Sequence, residues 1–376
     1  MHDPTATLPP DPAVLMRSII QRIATGPELS KDISREEARA GMRFILEGQA
    51  DPVQAGIFLI ALRMKRETDD EVRGVLEAMR EVTCTVTASV EEVIDLADPY
   101  DGFNRMLPAS PFLPAVLAAC GIPAVAHGVE RLGPKYGLTQ RQVLRAAGQP
   151  VDLAMGEAAA RLGDPALGWA YVDQKAYCPK LYDLIGLRTR IVKRPVITTV
   201  EGCIGPIRGR RKTHLVTGYV HKAYPRIYTL LARHAGFDSA LIVRGVEGGV
   251  IPSLQKAGRF FYYRDQGEEY SVDIDPVELG IDQSVRATPL PADLQKAGGA
   301  GETCDATTTV AQAAAQVGME ALAGQPGPTR EGLVFSAALC LWHVGLYDSV
   351  PVAARAVREV LDNGRALARI QRTIAA

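Results

Sequence analysis

The chain has six cysteines, Cys84, Cys120, Cys178, Cys203, Cys304 and Cys340, and no two of them form a CxxC pair. That spacing excludes a zinc ribbon or a dithiol redox motif and reads as reduced thiols in a cytoplasmic protein. No sign of charge is in excess: 42 basic side chains face 43 acidic ones, for a formal net of −1. A globally basic nucleic-acid coat and an acidic tail are excluded, so any site for a polyanion has to be local. Long apolar runs are missing too. The best stretch, AVLAAC with its flanks, is interrupted by Pro111, Pro114 and Pro123, well short of the roughly 18 residues that a membrane span requires. The opening MHDPTATLPPDP has neither a basic nor an apolar segment, so no signal peptide and no membrane partner are expected. Paired catalytic carboxylates, an HExxH helix, a nucleophile elbow, a Walker loop, internal repeats and low-complexity tracts are all absent from the pattern.

What is present is a core-forming composition, 47% hydrophobic and 23% charged over 376 residues, which suits about two domains of ordinary size. Residues 12–85 read as helices. Ser34 with Glu37 and Thr68 with Glu71 have capping-box spacing, and Asp51-Pro52 reads as an N-cap followed by proline in the first turn. In the 51–65 helix Val53, Ile57, Ile60, Ala61 and Met64 make one apolar stripe, and Phe58, Leu59 and Leu62 extend it to a second face. Such a helix is expected inside a helical domain or across a subunit contact. Beyond residue 90, VIDLA (93–97), PAVA (123–126), VITTV (196–200), HLVTGYV (214–220) and ALIV (240–243) read as strands, alternating with helices at 109–120, 139–148 and 222–235. Two helices, 331–346 and 351–373, close the chain. The expectation is an α/β protein: an all-helical, dimerising domain over 1–88 and a larger, mainly parallel α/β domain over 89–376.

Four segments could carry chemistry. Between Arg188 and Arg226 lie ten basic residues and one acid, Glu201, a local charge of +9. Arg208, Arg210, Arg211 and Lys212 are its densest part, a candidate anion or single-stranded nucleic-acid patch with Tyr219, Tyr224 and Tyr228 nearby for stacking. The bland alternative is a solvated surface paired to acids. DPYDGFNR (98–105) follows the strand VIDLA directly, so Asp98, Tyr100, Asp101, Gly102 and Asn104 occupy the place where α/β proteins put ligand loops. AHGVERLGPKYG (126–137) offers His127, Gly128 and Lys135, the lysine suited to a phosphate and the histidine to either a packed or a ligand-facing role. RGVEGGVIPS (244–253) has Glu247 as its sole acid, too few carboxylates for a magnesium site. GGAGET (298–303) reads as a plain loop.

The stretch LSKDISREEARAGMRFILEGQADPVQAGIFLIALRMKRETDDEVRGVLEAMRE (29–81) resembles the N-terminal helical domain of the anthranilate phosphoribosyltransferase and pyrimidine nucleoside phosphorylase superfamily, glycosyltransferase family 3. The resemblance continues through VIDLA, LAACGIPAVAHG, LIGLRT, ALIVRG and VREVLDNGRALARI. It implies a homodimer of two-domain subunits that holds a phosphorylated ribose, such as phosphoribosyl pyrophosphate, in the cleft between domains. It also implies a phosphate contact at Ser110 and keeps Lys135 and Gly137 in register with His127-Gly128. Where the family carries a GTGGD loop this chain has Asp98-Pro-Tyr-Asp-Gly102, and Val129 and Glu130 replace the asparagine and arginine of the family's HGNR loop. Val250 and Ile251 fall near the family's magnesium-binding Asp-Glu pair. Magnesium as a cofactor therefore lacks its usual carboxylates, and a basic residue from 188–226 is the expected substitute. Three readings stand: a divergent phosphoribosyltransferase-like enzyme with an acceptor other than anthranilate, a non-catalytic nucleic-acid or nucleotide binder, and a dimeric interaction protein with a degenerate pocket.

Overall fold

The computed structural model describes residues 11–26, 28–292 and 304–373, so the 298–303 loop and most of the opening segment lie outside the described residues. The chain forms two compact units. One contains residues up to 83 together with 178–204, and the other contains 84–177 and everything from 205 onward. The segment 178–204, expected in the α/β domain, thus belongs to the helical unit.

The helical unit is built on Pro12–Ile23, Arg35–Leu46, Pro52–Lys65 and Asp69–Glu81. Both expected capping boxes form, with Ser34 and Thr68 accepting from the amides of Glu37 and Glu71 and those glutamates reaching back to the cap amides. Two orphan donors are satisfied at each helix start. The Arg35–Leu46 and Asp69–Glu81 helices approach so closely that a Cβ on Gly74 would lie 2.2 Å from the Arg35 carbonyl oxygen. Glu71 does more than cap. Its fully buried carboxylate accepts from the Ile33 amide at 2.9 Å and lies 2.8 Å from the Lys65 ammonium, itself 2.6 Å from Asp32. Within the Pro52–Lys65 helix, Phe58, Leu59 and Leu62 are buried, while Val53 and Met64 are 69% and 73% exposed. Of the first stripe read from the sequence, Ala61 is buried, Ile57 and Ile60 are half-buried and only the two ends are exposed.

VITTV is not a strand. Val196, Ile197 and Val200 are buried at helical spacing in a short helix, Ile197–Val200, just after Pro195. Arg188 and Glu201 clamp this turn with a buried two-pronged ion pair at 2.7 and 2.6 Å. Packing has overridden the β-preference of a β-branched run.

The second unit is organised by a seven-stranded sheet. Its strands are β2 (Glu92–Ala97), β3 (Ala124–Gly128), β4 (Trp169–Asp173), β6 (Lys212–Gly218), β7 (Ser239–Val243), β8 (Gly258–Tyr263) and β9 (Glu269–Ile274), in the order β4-β3-β2-β6-β7-β8-β9. Val86–Thr87 (β1) and Ile207–Arg208 (β5) form a separate parallel pair. Pairing is parallel from β4 to β7 and antiparallel across β7-β8-β9. The five parallel strands are almost wholly buried, as strands covered on both faces must be. The edge strand β9 is largely exposed and carries Glu269 and Asp273, charges that discourage edge pairing. Helices Leu113–Ala119, Pro328–His343 and Val350–Asp362 join the strands in one apolar core. The last helix expected from the sequence is broken at Gly364, whose φ of +74° starts the separate Arg365–Arg372 helix. Among the described residues no helix is long and apolar enough to cross a membrane.

A polar chain runs through this core. Ser239 Oγ lies 2.8 Å from His343 Nε2 and 2.7 Å from His214 Nδ1, and His214 Nε2 lies 3.2 Å from Glu92. Burial, with His214 and Arg264 nearby, holds His343 well below the usual histidine pKa, and burial lowers His214 as well despite the opposing pull of Glu92.

Two predictions follow from these buried groups. Glu71→Ala leaves the buried Lys65 ammonium with Asp32 alone and unpairs the Ile33 and Thr68 amides, so denaturant unfolding should show a loss of about 3 kcal/mol. Because the unfolded chain protonates His343 and His214 near pH 6.5 while the folded chain resists, stability is complete above that pH and lost as pH falls below it. Melting temperatures recorded between pH 8 and 5 should decline, and His343→Gln should flatten the decline.

Candidate functional site

Parallel β2 and β6 are neighbours, and β2 leads to β3 on one side while β6 leads to β7 on the other, so the connections leaving their carboxyl ends diverge. This divergence opens a crevice at the carboxyl edge of the sheet, the usual ligand position in open α/β folds. Three loops fill it: 98–105 after β2, 129–139 after β3 and 244–252 after β7.

The loops are stitched to one another. Phe103 and Leu138 exchange backbone hydrogen bonds of 2.9 and 2.8 Å, and the Gly137 amide donates to the Asp101 carbonyl at 2.8 Å. Gly102 has φ +75°, and a Cβ there would sit 2.4 Å from the Gly137 carbonyl oxygen, so only glycine permits this approach. Asp98 Oδ1 accepts from the Val250 amide at 2.9 Å, joining the first loop to the third. The central contact is Glu247. Its carboxylate accepts from the backbone amides of Asn104 (3.1 Å) and Arg105 (2.7 Å) and pairs with Lys135 Nζ at 2.8 Å. Lys135 also donates to the Gly102 carbonyl at 2.5 Å and lies over the Phe103 ring. Asn104 Nδ2 donates to the Lys135 carbonyl at 3.0 Å. Two amides and an ammonium thus converge on one pair of carboxylate oxygens, an anion cradle assembled from all three loops.

Beside the cradle sits a group of buried polar atoms without hydrogen-bond partners: Asp98 Oδ2, Ser110 Oγ, Asn104 Oδ1 and Gln140 Oε1. Burial pushes the Asp98 carboxyl above the usual range. Ser110, the Val250 amide, Gln140 and Lys135 pull it the other way, although neither Ser110 nor Gln140 reaches it in good hydrogen-bond geometry. Behind Asp98 the chemistry is structural. His127 is buried with both ring nitrogens engaged, Nε2 with Asp95 at 2.7 Å and Nδ1 with the Tyr100 hydroxyl, which also meets the Tyr177 hydroxyl at 2.6 Å. His127 and Tyr100 accordingly brace β2 against β3. Gly128 ends β3, and a Cβ on it would come 3.3 Å from the Tyr171 hydroxyl. Val129 is fully buried, and Glu130 is spent on Arg141 and Arg145. Arg141, which sequence reasoning missed, also binds Asp152 at 2.6 Å and lies 3.3 Å from Asp173 at the end of β4.

The basic patch lies elsewhere. Arg208 donates to the carbonyls of Gly205, Ala235 and Gly236 and lies over Phe237, capping the end of the Tyr224–His234 helix. Arg211 pairs with Glu92 and Lys212 with Asp265, leaving Arg210 exposed without an acid partner. Lys212 begins β6 opposite Glu92, whereas the cradle follows the far ends of the strands, roughly 20 Å away at about 3.3 Å per residue. The expectation that this segment supplies a cation to the phosphate loops is therefore corrected for 208–212, and Arg188 is consumed by Glu201. Lys222 does reach the carboxyl edge. With Tyr219, Arg244, Arg259 and Phe261 it lines a cavity of about 420 Å³ beyond β6 and β7.

A protein-held magnesium does not fit these residues. Val250 and Ile251 are apolar and buried, Glu247 is committed to the cradle, and no group of three His, Cys, Asp or Glu among the described residues could hold a metal ion.

The element order defines an α/β protein whose helical bundle precedes the sheet. Residues 17–83 match the glycosyl transferase family, helical bundle domain. The chain is 26% identical over 360 residues to an anthranilate phosphoribosyltransferase of Rhodopseudomonas palustris, covering 96% of this chain and 97% of that one. An uncharacterized protein of Aquifex aeolicus is 29% identical over 255 residues, covering 67% of this chain and 74% of that one. Among solved structures, anthranilate phosphoribosyltransferase from Thermus thermophilus superposes with a TM-score of 0.70 at 19% identity, covering 96% and 98% of the two chains. The Saccharomyces cerevisiae enzyme in complex with PRPP and Mg superposes at 0.75 and 14% identity, covering 97% and 98%. Residues 17–83 thus carry the glycosyl transferase family's helical bundle domain, and the chain as a whole is similar in sequence and fold to anthranilate phosphoribosyltransferases.

The close approach at Gly102 gives a direct test of the stitched loops. Gly102→Ala forces the first loop away from Gly137, so thermal unfolding should show a loss of about 2 kcal/mol or more. Hydrogen exchange should accelerate selectively at Phe103, Gly137 and Leu138.

Proposed function

We propose that this chain is a phosphoribosyltransferase-type protein that holds a phosphorylated ribose, of the phosphoribosyl pyrophosphate kind, at the carboxyl edge of β2, β3 and β7. The observation that carries this reading is the cradle: the Asn104 and Arg105 amides and Lys135 Nζ converge within 3.1 Å of one carboxylate, an arrangement of donors that a phosphate oxygen pair satisfies equally well. The unpartnered acceptors Asp98 Oδ2 and Asn104 Oδ1 suit the hydroxyl donors of a ribose, and Ser110 Oγ can donate to a phosphate oxygen. That the yeast relative of this fold was solved with PRPP and Mg supports the ligand class. The acceptor is not anthranilate bound in the usual manner, because Val129, behind His127-Gly128, is buried and offers no polar contact. The exposed Val53 and Met64 support a homodimer joined through the helical unit.

A second reading, binding of single-stranded nucleic acid, is favoured by the cavity beyond β6 and β7. There Asp273 is taken by Arg259, Lys222 and Arg244 have no acid partner among the described residues, and Tyr219 and Phe261 meet edge to face at a centroid distance of 5.8 Å. Cations beside aromatic rings suit a sugar-phosphate chain with stacked bases.

Calorimetric titration with phosphoribosyl pyrophosphate separates the two. Saturable binding, weakened at least tenfold by Lys135→Ala and untouched by Arg244→Ala, is the expected outcome. Absence of heat with and without magnesium overturns the first reading. An oligonucleotide affinity that falls steeply with salt and depends on Arg244 and Lys222 then establishes the second.

A further inference from the structure

The cradle already contains an anion of the protein's own making. We infer that Glu247 is a built-in occupant of the phosphate position, and that its displacement, rather than the strength of the cradle itself, sets the affinity for phosphorylated ligands. This inference rests on the phosphorylated-ribose reading above and adds a specificity-determining residue to it.

The geometry of Glu247 is that of a ligand. One carboxylate oxygen takes the Arg105 amide at 2.7 Å, and the other takes the Asn104 amide at 3.1 Å and Lys135 Nζ at 2.8 Å. Backbone amides and an ammonium aimed at a shared pair of oxygens are what phosphate-binding loops present. Glu247 is also held in a left-handed conformation, φ +53° and ψ 17°, which side chains other than Asn, Asp and Gly seldom adopt. Such strain persists only where surrounding contacts over-determine it, and here those contacts are the three cradle donors. The turn carrying it is tightly closed, since a Cβ on Gly245 would fall 1.6 Å from the Gly249 carbonyl oxygen, and the side chain is the part with room to move. It has a route. The Glu247 and Lys135 side chains are 10% and 15% exposed, and a rotation about the glutamate's own bonds carries the carboxylate into solvent.

Charge explains why displacement is required. With Glu247 in place the pair is neutral, and an arriving phosphate meets a carboxylate where its oxygens would sit. With Glu247 withdrawn, the same donors present one full positive charge and two amide dipoles. The ligand must therefore outcompete an intramolecular carboxylate that is always present, and a tethered competitor acts at high effective concentration.

The test is calorimetric titration of the full chain with inorganic phosphate and with phosphoribosyl pyrophosphate, for the native protein and for Glu247→Gln, with thermal melting to confirm folding. The expected result is binding of both ligands at least tenfold tighter in the variant, abolished by adding Lys135→Ala. Equal affinities in the native and variant proteins overturn the inference while leaving the ribose-phosphate reading intact. Weaker binding in the variant also overturns it and makes Glu247 a contact for the ligand. Failure of both proteins to bind overturns the inference together with the reading beneath it. Should Glu247→Gln fail to fold, Glu247→Asp serves instead, because its shortened carboxylate cannot span both amides and the same gain in affinity is expected.

Discussion

The parallel register of β2 with both neighbours is the constraint on which the site depends. Glu92 pairs with Lys212 and Ala97 with Thr217, while Ile94 pairs with Ala124, so three strands finish together. Because β7 also runs parallel to β6, the loops after β2, β3 and β7 all emerge on one edge. Loops crowded this way bring backbone amides and carbonyls into a space with little water, and each needs a partner. The Gly102–Gly137 approach, the Phe103–Leu138 exchange and the Asp98–Val250 bond supply most of them. Glu247 takes the two amides that remain at the tip.

Charge is distributed so that few cations are available for a ligand. Arg141 is shared among Glu130, Asp152 and Asp173, Arg188 is consumed by Glu201, and Arg211 and Lys212 are paired across the amino edge of the sheet. Of the ten cations between Arg188 and Arg226, Arg188 is thereby neutralised from within the window and Arg211 and Lys212 by acids from other segments. Net charge over a window says where cations are dense, but the fold decides which of them face a ligand. Lys222 and Arg244 line the cavity at the carboxyl edge, whereas Lys135 is held by Glu247.

Local signals were the readable part of this sequence. Ser34, Glu37, Thr68 and Glu71 act within four residues of each other, and the strands near 93–97, 123–126, 214–220 and 240–243 are short apolar runs bounded by turns, so both kinds could be read directly. The VITTV segment misled because β-branching suggests a strand, whereas Pro195 and the Arg188–Glu201 clamp impose a helical turn. The β8–β9 hairpin escaped notice because its turn uses Asp265 and Gln266 at positive φ in place of an Asn-Gly or Asp-Gly pair. In the site, loop position and the isolated lysine pointed to 98–104 and Lys135. Glu247 was visible as the sole acid among glycines but was weighed only as a metal ligand. Its pairing with residues 142 and 143 positions earlier in the chain depends on strand order, which no local pattern encodes.

Ligand binding and turnover place different demands on such an edge. Holding a phosphate needs donors at fixed positions, and the cradle supplies three. Transferring a ribose from pyrophosphate needs stabilisation of charge that grows on the departing group, which is usually the largest catalytic contribution. On the phosphorylated-ribose reading, one ammonium and two amides are what the cradle offers for it, since the buried side chains at Val250 and Ile251 carry no charge. The same donors are balanced by Glu247, so on that reading part of the binding free energy goes into separating this carboxylate from Lys135. Read as a phosphorylated-ribose site, such an architecture favours recognition over rate, and the glutamate that neutralises the cradle is the residue at which the two requirements diverge.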